Sequence, residues 1–323
     1  MNFMILSPGR RCELIKYFKC ALNERGRSLV TLDMDKYAPA LYFSDKWHVV
    51  AKDFANLENY VDIIVDVCKK EQVSFLMTLI DPELELLSRY RRHFEDNKIN
   101  LILSGENDIK MTMDKYEFYL FYKDRTNLAK TCRDYAEAIR ELMLPIFVKM
   151  RSGSASMGAV KISSKKELEG YSSKNNFMFQ EYIKGREIGI DVYFDLISGR
   201  IVSLFMKEKL AMRSGETDKS ISIFRLDILD EIIKLEKYWN FRGPVDVDMF
   251  ISEDGKIFIN EVNPRFGGGY AHAHFCGIDF IKLIINNMNG YENVPNIGNY
   301  KSDVVMMKSN KFTFICEGAI HEG

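Results

Sequence analysis

Two short apolar runs, Val245 to Ile251 and Lys256 to Val262, are joined by Ser252-Glu253-Asp254-Gly255, a pattern that predicts a β-hairpin closed by an Asp-Gly turn. Acidic groups interrupt both strands. Asp246 and Asp248 fall on one face of the first and Glu261 and Asn263 on one face of the second, so pairing can bring Asp248, Glu261 and Asn263 together. Carboxylates set among Val, Ile and Phe need something to satisfy them. Oxygen ligands on rigid strands suit a hard divalent cation, Mg²⁺ or Mn²⁺ in its place, which keeps several waters and takes phosphate oxygens for the rest. Arg265, across Pro264, would then meet a phosphate or a developing oxyanion. A solvated hairpin with a surface ion pair is the plainer alternative for any one of these residues, though not for all of them together.

The rest of the chain limits what such a site can serve. At 323 residues with 46% hydrophobic side chains it can bury substantial cores in two or three domains. A formal net charge of -1, from 45 basic and 46 acidic residues, gives no electrostatic footing for nucleic acid or an anionic membrane. Six cysteines are scattered without CxxC spacing, which suggests reduced thiols rather than zinc or a disulfide framework. No apolar run approaches the ~20 residues of a membrane span, and a cytoplasmic protein is expected.

Alternating patterns open the chain: strand Met1 to Leu6, helix Glu13 to Asn23, strand Ser28 to Leu32, helix Leu57 to Lys70, strand Ser74 to Ile80, a helix to about Phe94 and strand Ile99 to Leu103. They predict a parallel sheet with helices on its faces. Ligands of such sheets lie beyond the carboxyl ends of the strands, near Ser7 to Arg11, Asp33 and Asp81 to Glu83, while the absence of GxGxxG argues against a dinucleotide.

Further on, Pro145 to Lys149 reads as a strand, Arg151 to Gly158 as a loop of small residues, and Ala159 to Ile162 as a returning strand. Backbone N–H groups of a loop carrying Ser154, Ser156 and Gly158 can close over phosphate oxygens, and Lys149 adds a point charge. A plain hairpin loop is the alternative. His272 and His274, two residues apart on an expected strand, are read as packing or substrate-lining groups rather than a metal pair.

Asp248, then Glu261-Val262-Asn263-Pro264-Arg265 and Gly267-Gly268-Gly269, resemble the metal-binding end of an ATP-grasp ligase, most closely the group similar to the carbamoyl phosphate synthetase large subunit. Asp248 stands where many members carry Glu or Gln, and a second synthetase half is not seen. The resemblance implies an ATP-grasp fold, two α+β subdomains holding ATP between them, behind a Rossmann-like parallel-sheet domain. It divides the chain into residues 1–112, a lid subdomain at 113–185, a metal and catalytic subdomain at 186–310, and a tail of unread role at 311–323. Lys115, after Asp114 at a helix start, would then reach the ATP phosphates with Lys149. Gln180, Glu181 and Ile183 would line the adenine, and Glu187 would hold the ribose. Arg213, in an expected loop from Lys207 to Glu216, would steady the transferred group, a solvated loop being equally open. Ser7, Arg10 and Glu83 would join the acceptor pocket unless they serve turns and caps. The activity implied is ATP- and Mg²⁺-dependent joining of a small carboxylate to an amine, with a homodimer by analogy. The competing reading is an ATP-binding regulatory or partner subunit without turnover.

Overall fold

A computed structural model describes residues 1–53, 56–153, 158–213 and 215–320. The first third is a five-stranded parallel sheet in the order Lys46–Val49, Leu29–Asp33, Asn2–Leu6, Val73–Thr78, Asn100–Leu101. The strand order reverses between Asn2–Leu6 and Val73–Thr78. Loops leaving adjacent strands in opposite directions open a crevice there, and the two loops that border it carry Arg10, Arg11 and Asp81.

The second sheet is antiparallel and six-stranded, in the order Ile257–Asn263, Gly243–Ser252, Gly185–Phe194, Ile201–Arg213, Glu216–Ile223, Val305–Met307. Period-two alternation sorts its residues. Ile188, Ile190, Val192, Val245, Val247 and Met249 face a core shared with the helix Leu226–Glu236. Tyr193 and Phe205 face the opposite way, into a core continued by Phe3, Phe18, Phe266 and Phe280, so parallel and antiparallel sheets share one interior. The same face carries Glu187, Asp191, Asp246, Asp248, Lys207 and Lys209 towards its other end. A third, four-stranded antiparallel sheet, Thr131–Cys132, Phe177–Glu181, Ile146–Met150, Val160–Ile162, has its own small core of Val148, Ile162, Leu168 and Phe179.

Several expectations change. The loop expected from Lys207 to Glu216 is the end of one strand and the start of the next, because Lys207 and Lys209 find carboxylates across the ladder and can be buried there. Tyr270–Phe275 is a short helix, not a strand. In the tail, Lys311 to Ile315 is irregular, and Val305–Met307 forms the sheet edge.

Candidate active site

The lid sheet, the six-stranded sheet and the crevice of the parallel sheet enclose a cavity of about 550 Å³. Its hairpin wall forms as the strand spacing predicts. Asp248 pairs with Glu261 and Asp246 with Asn263 in the antiparallel register, and a bulge after Asp248 keeps Glu261 and Asn263 turned towards the cavity while Ile259 and Val262 stay in the core. Two carboxylates and an amide are the hard oxygen donors a Mg²⁺ shared with phosphate requires. Among the described residues no three His, Cys, Asp or Glu side chains converge.

Lysines now balance these carboxylates. Lys115 Nζ lies 3.3 Å from Glu261 Oε1 and donates to Gly153 O at 2.7 Å, its helix being capped by the Asp114 carboxylate. Lys209 Nζ lies 2.6 Å from Asp248 Oδ1 and 2.8 Å from Glu187 Oε1. Burial pushes the Asp248 carboxyl up to about 7, Lys209 opposing and Asp246 adding to the shift. Burial works against the charge of Lys209, but Asp248 and Glu187 outweigh it and raise its pKa. Lys149 is buried with Asn260 Oδ1 at 3.1 Å, and burial lowers its pKa to about 8.

On the lid side, Gln180, Glu181 and Ile183 line the cavity together with Phe147 and, across from them, Phe250. The Gln180 side chain donates to Thr131 Oγ1 at 3.0 Å, and its main chain is paired with Phe147 in the ladder. Gly158 adopts φ +72° beside Met150 and Phe177 but is not among the lining residues. Ser154 and Ser156 lie outside the described residues. Arg213 is largely exposed, 3.2 Å from Asp218, and also does not line the cavity.

The acceptor end holds Arg265, whose Nε and Nη2 reach the two oxygens of Asp81 at 2.7 and 3.2 Å, a two-pronged pair across the domain boundary. Asp246 follows at 3.8 Å. The glycines after Arg265 pass close over this row: a Cβ on Gly267 would stand 2.5 Å from Asp246 Oδ1, and one on Gly268 3.2 Å from Glu216. Arg10 lines this end. Ser7 and Glu83 do not, because the buried Glu83 carboxylate is consumed by Ser7 Oγ at 2.8 Å, Tyr60 at 2.9 Å and Lys52 at 2.7 Å. His272 is buried against Ser220 and Val304, and His274 stacks on Tyr17, so neither faces the cavity. Sequence reasoning named no role for Lys209 or Glu216, placed Arg11 and Asp81 only in the stretches beyond the strand ends, and noted Asp246 only for the face it shares with Asp248. A lysine inside an alternating apolar strand was the available signal for Lys209, and the acidic residue directly after a strand for Asp81.

Residues 112–269 match the ATP-grasp domain model and residues 3–102 the model of the PylC-like N-terminal domain. The chain belongs to the ATP-grasp ligases, with an ATP-grasp domain set behind a PylC-like N-terminal domain. Among curated proteins it is similar to tyramine–L-glutamate ligase of Methanocaldococcus fervens, 23% identical over 231 residues, 66% of this chain and 69% of that one. It is also similar to D-alanine–D-alanine ligase of Francisella tularensis, 24% identical over 234 residues, 65% of this chain and 79% of that one. Among solved structures, N5-carboxyaminoimidazole synthetase from Staphylococcus aureus complexed with ADP superposes with a TM-score of 0.75 at 19% identity, covering 95% of this chain and 81% of that one. The biotin carboxylase domain dimer of Hydrogenobacter thermophilus 2-oxoglutarate carboxylase, in complex with MgADP, gives 0.75 at 14%, covering 94% and 73%. At such identities the superpositions speak for the fold.

Proposed function

We propose that the protein is an ATP- and Mg²⁺-dependent ligase that joins a small carboxylate to an amine through an acyl phosphate, releasing ADP and phosphate. The observation that carries this is the hairpin pair Asp248 and Glu261, with Asn263, opening on the same cavity as Lys115, Lys149 and Arg265. Asp248, Glu261 and Asn263 would hold Mg²⁺, which when bound supplies charge against the triphosphate and its leaving group. Lys115 and Lys149 neutralise phosphate oxygens, Glu187 accepts ribose hydroxyls, and the segment Gln180 to Ile183 presents backbone groups to the adenine. A substrate carboxylate attacks the γ-phosphoryl group, an amine then attacks the acyl carbon, and phosphate leaves. Arg265, fixed by Asp81, stabilises negative charge on the phosphorylated and tetrahedral species. The lid over Lys149 excludes water that would hydrolyse the acyl phosphate.

In this reading residues 1–112 supply the acceptor wall, 113–185 the lid and 186–310 the metal wall. The run Glu261-Val262-Asn263-Pro264-Arg265 supports the kinship with carbamoyl phosphate synthetase large subunits. The oxygen donor set accepts Mn²⁺ as it does Mg²⁺. A homodimer and a cytoplasmic setting complete the proposal, the latter supported by six free cysteines and, among the described residues, by no helix long and apolar enough to cross a membrane.

The test is phosphate release from MgATP with pools of amino acids and small carboxylic acids, wild type against Glu261→Ala. Release that needs a pool and is lost in the variant establishes the ligase. Nucleotide binding with no release in any pool overturns it in favour of a non-catalytic ATP-binding subunit.

A further inference from the structure

At the inner end of the cavity two guanidinium groups converge on one carbonyl. Arg11 Nη1 donates to Phe266 O at 2.7 Å and Arg265 Nη1 to the same oxygen at 3.2 Å. Arg265 is neutralised by Asp81; Arg11 is not, and among the described residues no carboxylate comes within ion-pair distance of it. Burial and the neighbouring Arg265 lower the pKa of Arg11 to about 10, although Glu216, Asp246 and Asp81 act in the other direction. A buried charge beside a like charge is costly, and a carboxylate accepting two N–H bonds from the fork would relieve it.

Position decides which anion this is. The groups suited to the ATP phosphates are Lys115, Lys149, Asp248 and Glu261, at the lid and hairpin, while Arg265 is held by Asp81 for the reacting carboxylate. Arg11 comes from the N-terminal domain and meets the chain past Arg265, at Phe266. The next residue, Gly267, lies against Asp246, whose Oδ1 would be 2.5 Å from a Cβ there. A cation and a carboxylate therefore flank the same two residues, and both line the cavity.

Building on the ligase reading, we propose that Arg11 binds a carboxylate that is not activated, the α-carboxylate of an amino acid whose ammonium group rests on Asp246. The substrate keeps its amino-acid head intact and reacts through its side chain. Arg11 and Asp246 are then specificity residues, beside Arg265 but apart from the lysines and carboxylates assigned to ATP and its metal.

The experiment compares phosphate release from MgATP with three mixtures: the protein amino acids, their decarboxylated amines, and their deaminated acids. MgADP affinity is measured alongside. The amino-acid mixture is expected to support release at least tenfold faster than either of the others. Arg11→Gln should raise the half-saturating concentration of that mixture tenfold or more with maximal rate and MgADP affinity within threefold, and Arg11→Lys should fall between. Equal release with the decarboxylated mixture overturns the proposal while leaving the ligase standing. So does an Arg11→Gln enzyme that loses maximal rate with half-saturation unchanged, since Arg11 would then act on the reacting group. Release with no mixture, while MgADP still binds, overturns the ligase reading and this one with it.

Discussion

Lys149 is a buried ammonium, 6% exposed, whose hydrogen-bond partner is a neutral amide and whose burial outweighs the pull of Glu261 and Asp248. Phosphate favours its charged form, so nucleotide binding above pH 8 must draw a proton. MgADP affinity should fall as pH rises through about 8, approaching tenfold per unit. Calorimetry in buffers of different ionisation heat should show uptake of about one proton near pH 9, and Lys149→Met should bind more weakly at pH 7 with no uptake. Asp81 acts differently, through the orientation of Arg265. Asp81→Asn should lower kcat about tenfold with MgADP affinity within twofold, as steady-state rates and titration would show. Residues like Lys149, Asp248 and Glu261 could be read from sequence because each puts a charge where the strand pattern demands an apolar or small group. Asp81 and Arg11 could be placed only near the strand ends: only the meeting of two domains, 184 positions apart in the case of Asp81 and Arg265, reveals their use.

The strands that escaped sequence reading are those whose charges are neutralised only after folding. Ile201–Arg213 looks like strand then loop because Lys207-Glu208-Lys209 breaks its apolar run, yet Lys207 pairs with Asp191, and Lys209 with Glu187 and Asp248. Lys46–Val49 is a partly exposed edge strand with no apolar alternation to give it away. Conversely, the hairpin and the helices Cys12–Asn23 and Leu57–Lys70 were legible because an Asp-Gly turn and amphipathic spacing are local signals. The short helix Tyr270–Phe275 pins the outer edge of the large sheet through His272. Its Nε2–H donates to Val304 O at 3.0 Å and Nδ1 faces Ser220 Oγ at 2.8 Å. Burial, with Lys207 adding, lowers its pKa from 6.5 to about 4. The unfolded chain takes up the proton first, so this contribution is complete above about pH 6.5 and lost as pH falls towards 4, to the extent of about 3 kcal/mol. Urea midpoints measured across that window should drop in the wild type, and His272→Gln should start lower and drop less.

Across the whole molecule, cooperativity follows the cores rather than the sheets. The interior that holds Phe18, Phe266 and Phe280 belongs to both the parallel and the six-stranded sheet, with Phe18 and Phe266 rings in edge contact at 5.9 Å. Those two parts must unfold together, which also keeps Asp81 opposite Arg265. The lid sheet has a separate and much smaller core, whose members come only from residues 132–179 with four partly buried neighbours. A small core gives a low local opening energy. Amides of Ile146–Met150 and Phe177–Glu181 should therefore exchange by opening of the lid alone, well before those of Tyr193 or Phe205. In the proposed ligase nucleotide would bridge the lid, through Lys149, to the hairpin, through Asp248 and Glu261, and by binding the closed form it should close that gap. At MgADP one hundred times its dissociation constant, lid protection should rise by about 2.7 kcal/mol. Hydrogen exchange read by mass spectrometry tests this. Protection gained only in the shared core, with the lid unchanged, would mean that nucleotide is held by the hairpin wall alone and that Lys149 has no part in binding it.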